Sequence, residues 1–255
     1  MSVEKLYVIP GGFIEVDQTK VPIKKGDRWL VTPVPYYLIQ TNDANILFDT
    51  GCNPDVIDKP LETWGPLAKT FVPKMAKEDH PIARLAELGL SPDDIDVVIL
   101  SHLHFDHAGG VRFFKNARII VQKSEYRYAL YPDKWAGGYF QKEFNIEGVK
   151  WELIEGDQVF CPGVTIVLTD GHTPGHQALV VDLPKNGTMV IAADSVYDSS
   201  NLKYEAAGPG SWNPITSINS IKRLKTIAER SGGIVFPNHD LDVWKSMIKS
   251  PDYYT

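Results

Sequence analysis

The run Asp96-Val-Val-Ile-Leu100 has no polar break after its first residue, and its β-branched content is that of a strand buried on both faces. Directly behind it stands SHLHFDHAGG (101–110), which places three of the chain's seven histidines and one aspartate within six residues. A strand covered on both sides must sit inside a layered α/β structure, and a polar cluster at its end opens onto a cleft held by rigid backbone. An accidental polar turn is the weaker account: given the histidine content, the frame H-x-H-x-x-H arises by chance on the order of one time in a few hundred. Side chains two apart in an extended segment point the same way. His102, His104 and Asp106 are therefore expected to share one side, with His107 on another, so that one segment feeds two adjacent metal ions.

Zinc-type sites need three or four protein ligands per ion, and the rest of the chain offers them. His172 and His176 lie in GHTPGH (171–176), Asp194 closes the apolar run TMVIAAD (188–194), and His239 closes IVFPNHD (234–240). His80, in KEDHPI, is read as an ordinary exposed residue at a helix start. The candidates amount to five histidines and two aspartates, with one of His172 and His176 left over. Two ions about 3.5–4 Å apart, bridged by a carboxylate, would generate hydroxide at neutral pH and clamp a developing oxyanion. No cysteine falls in these clusters, so zinc is the first expectation, with iron, manganese or cobalt chemically tolerable.

Composition narrows the class. The 255 residues are 43% hydrophobic and 23% charged, which suits one globular domain spanning 1–255, and no linker divides it. A net charge of −6 leaves no basic surface for nucleic acid. Cys52 and Cys161 are too few for a disulfide framework and read as free thiols. The start, MSVEKLYVIPGG, lacks a signal peptide's apolar segment, and no run reaches membrane-spanning length, so a cytoplasmic protein without a membrane partner is expected. Monomer and homodimer both stay open.

Strands are expected at LYVI (6–9), YYLIQ (36–40), NILFDTG (45–51), DVVIL (96–100), ARIIVQ (117–122), WELIE (151–155), VTIVLTDG (164–171), ALVVDL (178–183), TMVIAAD and IVFPNHD. PKNG (184–187) reads as a hairpin turn. Helices are expected over roughly 80–89, 124–132 and 217–229, with a short helical turn at SPDD (91–94). The proline-punctuated stretch from Cys52 to Glu78 reads mostly as loop. Strands followed by helices, twice over, predict two sheets packed face to face with helices outside, a four-layer αββα sandwich.

With these residues in view, the chain resembles the metallo-β-lactamase superfamily, whose H-x-H-x-D-H signature corresponds to His102, His104, Asp106 and His107. ILFDTG (46–51) and the later His, Asp and His support the match from LYVIP to NHD. Within the superfamily it looks most like the N-acyl homoserine lactone lactonases, through SHLHFDHAGG, IIVQKSEY (119–126), GHTPGHQ (171–177), Asp194 with Tyr197, SIKRLK (220–225) and the terminal HD (239–240). The resemblance implies one metal on His102, His104 and His172, a second on Asp106, His107 and His239, and Asp194 bridging them. His176 then orients a ligand by a hydrogen bond, and Tyr197 points its phenol at the substrate. It implies a quorum-quenching hydrolase in which a metal-bridging hydroxide opens the lactone ring of an acyl homoserine lactone and Asp106 protonates the leaving alkoxide.

Phe105, Tyr36, Tyr37, Trp135, Tyr139 and Phe140 are candidate pocket lining, and Asp49 reads as a structural turn residue. Two stretches depart from the family pattern: Pro237 and Asn238 before the last histidine, and the aromatic loop DKWAGGYFQKEFN (133–145). Neither is expected to touch the metal set, and both are expected to line the pocket. The rival readings are another hydrolase of this fold (phosphotriesterase, general lactonase or esterase, thioesterase, β-lactamase) and, from a different class, a non-hydrolytic diiron redox protein. The last would carry a glutamate in place of His104 and usually a flavin domain.

Overall fold

The structure is a computed structural model that describes residues 2–21 and 27–255. Its strands are β1 (Val3–Asp17), β2 (Trp29–Thr41), β3 (Asn45–Phe48), β4 (Phe71–Lys74), β5 (Val97–Ile99), β6 (Arg118–Gln122), β7 (Lys150–Ile154), β8 (Gln158–Cys161), β9 (Val164–Leu168), β10 (Gln177–Leu183), β11 (Gly187–Ile191) and β12 (Ile234–Phe236). The helices are α1 (Pro60–Trp64), α2 (Pro81–Glu87), α3 (Lys123–Leu130), α4 (Gln141–Phe144), α5 (Ser199–Tyr204), α6 (Pro214–Ser231) and α7 (Leu241–Ser246).

The strands form a larger sheet, ordered β4-β1-β2-β3-β5-β6-β7, and a smaller one, ordered β12-β11-β10-β9-β8. In the larger sheet β1, β2, β3 and β4 pair antiparallel, whereas β3, β5, β6 and β7 run parallel. That parallel set explains why DVVIL carries no polar alternation: Val98 faces outward into a core shared with Leu85 of α2 and Ala129 of α3, and Val97 and Ile99 pack inward. The inward faces meet in the central core, where Phe48, Ile99 and Ile120 oppose Ile166, Leu179 and Ile191. On the outer face of the smaller sheet, α6 lays Ile221, Leu224 and Ala228 over Val180 and Val190. The result is the expected αββα layering.

α6 has distinct ends. Asn213 caps its first turn by accepting from the amides of Ile215 and Thr216, Pro214 occupies the first helical position, and Gly232 ends it in the left-handed region at φ 65°.

Several boundaries differ from the sequence expectation. The stretch from Cys52 to Glu78 holds α1 and β4, the latter pairing with Phe13–Val16 of β1. Pro73 misleads there because an edge strand tolerates a proline that a central strand rejects. β8 also goes unread, since it is an edge strand whose Val159 is 75% exposed. The runs TMVIAAD and IVFPNHD leave the sheet at Ile191 and Phe236, so Asp194 and His239 sit in turns beyond the strand ends.

Behind the Cys52–Asn53 turn, α4 buries Glu143, which accepts a hydrogen bond from Asn53 Nδ2 at 3.0 Å. Burial outweighs that bond and pushes the Glu143 carboxyl up to about 7. An acid whose folded value lies above its unfolded value stabilises the fold fully below the unfolded value, and the contribution fades as pH rises through the folded one. Stability should therefore fall between about pH 4.5 and 8 by up to about 3 kcal/mol from this group, and Glu143→Gln should flatten that part of the profile in denaturant titrations run across the range.

Candidate metal centre and cavity

The signature segment is extended only as far as His104. The amides of His107 and Ala108 both donate to the His104 carbonyl, at 3.0 and 2.9 Å, so the chain turns there. The expected alternation holds for His102 and His104 but not for Asp106, which the turn carries round to His107. Among the described residues, donor atoms gather in three overlapping groups within 4.8 Å of one another: His102, His104 and His172; His102, His107 and Asp194; and Asp106, His107 and His239. In the first group His104 Nδ1 lies 3.0 Å from His102 Nε2 and 3.1 Å from His172 Nε2. In the last, Asp106 Oδ2 lies 3.7 Å from His107 Nε2 and 3.6 Å from His239 Nε2. Asp194 stands between them: Oδ1 is 3.1 Å from both His107 and His239, and Oδ2 is 3.4 Å from His172.

These separations fit a metal. Two ligands at zinc-type bond lengths around a tetrahedral ion lie about 3.4 Å apart. The protons also point the right way. Asp49 accepts from His107 Nδ1 at 2.8 Å, and His239 Nδ1 donates to the Pro33 carbonyl at 2.8 Å. Ser101 Oγ donates to Asp49 at 2.8 Å and can accept from His102 Nδ1 at 2.9 Å. In its neutral form each of these three rings turns an unprotonated Nε2 to the cluster, and the buried His107 Nε2, 3.1 Å from Asp194 Oδ1, makes no well-formed hydrogen bond. Burial drives His104 and His172 down to about 3, so both stay neutral donors. Burial opposes a proton on His107 as well, yet Asp194, Asp106 and Asp49 outweigh it and raise that ring well above its usual range. Asp194 is held well below the usual carboxylate range, because His239, His107 and His172 overcome its burial. The pocket favours positive charge beside its carboxylates, which a metal ion supplies.

His176 is placed otherwise. Its Nε2 accepts from the Asp194 amide at 3.1 Å while Nδ1 faces Thr169 Oγ1 at 2.8 Å, so its lone pair is spent on fixing the turn that presents Asp194. Asp49 is more than a turn residue. Held in the left-handed region at φ 64°, it binds the Ser101 amide and hydroxyl as well as His107, and so steadies both groups of donors. Two expectations fail at these departures: Asn238, instead of lining the pocket clear of the metal set, is buried with Nδ2 3.2 Å from both Asp194 Oδ1 and His239 Nε2, and Tyr139 of the aromatic loop lies 4.6 Å from the His104 ring, centroid to centroid. Pro237 is not part of the cavity wall either. His80, read as exposed, is half-buried and caps α2 through Nδ1.

Beside the donors lies a cavity of about 320 Å³ whose wall includes His104, Asp106, His172, Asp194 and Tyr197. Of the aromatic candidates, Phe105, Trp135 and Tyr139 line it. Tyr36 and Tyr37 are instead core residues, and Phe140 stands behind Phe105 with ring centroids 6.3 Å apart. Tyr128 and Trp212 also line it; they lie outside the motifs and carry no sequence signal of their own.

Residues 29–239 match the metallo-beta-lactamase superfamily. The chain belongs to that superfamily. It is 36% identical to the N-acyl homoserine lactonase AiiA of Bacillus thuringiensis subsp. kurstaki, over 99% of this chain and 100% of that protein. It is 33% identical to the N-acyl homoserine lactonase AttM of Azorhizobium caulinodans, over 98% of each. Among solved structures, a B. thuringiensis AiiA mutant with N-decanoyl-L-homoserine bound at the active site superposes with a TM-score of 0.89 at 35% identity, over 99% of this chain and 100% of that one. An N-acyl homoserine lactone hydrolase with the product N-hexanoyl-L-homoserine bound at its catalytic metal center matches equally well, with a TM-score of 0.89 and 35% identity over the same shares.

If Asp49 steadies both groups of donors, Asp49→Asn should weaken metal affinity about ten- to a hundredfold, read by competition with a chromogenic chelator.

Proposed function

We propose that this protein is a dinuclear-metal hydrolase that opens the lactone ring of N-acyl-L-homoserine lactones, a quorum-quenching activity, with one hydrolase domain spanning the chain. The observation that carries the reading is Asp194, whose two carboxylate oxygens face different groups of donors at the wall of an apolar cavity. His102, His104 and His172 would hold one ion, and Asp106, His107 and His239 the other, with Asp194 shared. The nitrogen and oxygen donors suit zinc and also fit iron, manganese or cobalt. Bound ions would supply a nucleophilic water at neutral pH and polarise the lactone carbonyl.

The chain's own residues do the rest. Burial, with the Asp194 and Asp106 carboxylates nearby, raises the Tyr197 phenol, so it stays protonated and can donate to the oxyanion that forms when the carbonyl is attacked. Asp106 lines the cavity, where it can take the proton that the attacking water gives up and pass it to the ring oxygen as the ester C–O bond breaks. Ile14, Val16, Leu67, Phe71 and Phe105 give an acyl chain an apolar wall. The acyl homoserines bound in those relatives, with hexanoyl and decanoyl chains, are of the kind such a wall accommodates. The diiron alternative loses ground because His104 occupies the position where it requires a glutamate.

A panel of acyl homoserine lactones, phosphotriesters, acylglutathione thioesters and β-lactams, followed by acid release or chromogenic product, tests the reading. Turnover of the acyl lactones is expected. Good turnover of another class, with none of any lactone, would refute it. Tyr197→Phe should lower kcat about ten- to a hundredfold at unchanged metal content; wild-type turnover would remove Tyr197 from the mechanism.

A further inference from the structure

The reaction as described makes no use of IIVQKSEY, yet that stretch delivers a fully buried carboxylate to the metal loops. Glu125 lies in the first turn of α3, which has no side-chain cap. Rather than serving its own helix, Glu125 reaches outward. Oε1 accepts from the Leu103 amide at 3.0 Å and from the Tyr139 hydroxyl at 3.2 Å, and Oε2 accepts from the Gly175 amide at 3.2 Å.

The three donors belong to separate segments, and each adjoins the first group of histidines. Leu103 stands between His102 and His104. Gly175 follows His172 in GHTPGH. The Tyr139 ring lies over His104, with centroids 4.6 Å apart. The seams are closed: a Cβ on Gly175 would fall 2.3 Å from the Glu125 amide nitrogen, and one on Gly138 would fall 3.1 Å from the His104 ring. The Gly138 carbonyl also accepts from the Phe105 amide at 2.9 Å, so the aromatic loop is tied to the metal segment by backbone as well.

We propose that Glu125 is a positioning residue: its buried carboxylate fixes the His102–His104 segment, the His172 loop and the Tyr139 roof of the cavity as one unit. The proposal rests on the reading of this cluster as a metal site. A carboxylate suits the place because it only accepts, and every partner donates; a glutamine amide would set N–H against N–H on one side. Losing that fit loosens the spacing of three nitrogens that must meet one ion. Losing only the Tyr139 hydroxyl leaves the ions held and frees the roof.

The experiment compares the full-length wild type with Glu125→Gln, Glu125→Asp and Tyr139→Phe. Zinc affinity is read by chelator competition, the visible spectrum on the cobalt-substituted proteins, and KM and kcat on N-hexanoyl-L-homoserine lactone. Glu125→Gln should lose about ten- to a hundredfold in affinity for one of two ions and shift the cobalt spectrum. Tyr139→Phe should keep both ions and nearly wild-type kcat while KM rises several-fold. Wild-type affinity and spectrum in Glu125→Gln, or wild-type KM in Tyr139→Phe, would overturn the assignment. Should Glu125→Gln fail to fold, Glu125→Asp carries the same test, since it keeps the charge and withdraws the reach. A wild type that binds no ion refutes the metal-site reading itself. One that binds two, with a Gln variant that matches it, refutes only the role of Glu125.

Discussion

Five imidazoles and two carboxylates brought together out of water make an assembly that ordinary packing does not favour. Burying carboxylates unpaired is costly, and burying several neutral imidazoles with lone pairs turned toward one another leaves acceptors without donors. The surrounding structure commits to that arrangement. Asp49, Ser101 and the Pro33 carbonyl take up the outward nitrogens of His107, His102 and His239, and the neighbouring carboxylates favour positive charge at the centre. Cationic charge among the donors resolves both difficulties, and the fold is arranged around supplying a place for it.

Much of this was legible in the residues. DVVIL announces a strand covered on both sides, and the histidines and Asp194 fall just beyond the ends of apolar runs. What eluded reading has a physical reason in each case. β4 contains Pro73 and β8 exposes Val159, so neither carries the signature of a central strand. Asp106 parts from His102 and His104 because two amides converge on the His104 carbonyl, a tertiary choice that side-chain spacing does not encode. Nothing beside Glu125 in the sequence marks its role, because its partners come from 22, 14 and 50 positions away.

Asn238 shows how a departure from a family pattern can bear on the centre without touching the cavity. Its backbone amide donates to the Val196 carbonyl at 3.0 Å, and the next amide, that of His239, donates to the Tyr197 carbonyl at 2.9 Å. The segment that carries Tyr197 is thereby laced to the segment that carries the last histidine. A side-chain amide at 3.2 Å from the shared carboxylate adds a polar contact to that seam. Tyr197, with its ring centroid 4.5 Å from that of His239, takes its position from the same lacing.

The donors come from both sheets: His102, His104, Asp106 and His107 follow a strand of the larger one, whereas His172, Asp194 and His239 follow strands of the smaller. The centre is therefore sensitive to shear, since sliding one sheet over the other would pull it apart even if every strand stayed intact. The last residues of the chain bear on that motion. Tyr254 exchanges backbone hydrogen bonds with Leu6 of β1, at 2.9 Å in each direction, and the Thr255 carbonyl accepts from Lys185 and Asn186 at the tip of the β10–β11 hairpin, at 2.8 and 2.7 Å. A tail that holds one sheet with one residue and the other with the next acts as a cross-brace, and the alignment of the metal centre is among the things it braces.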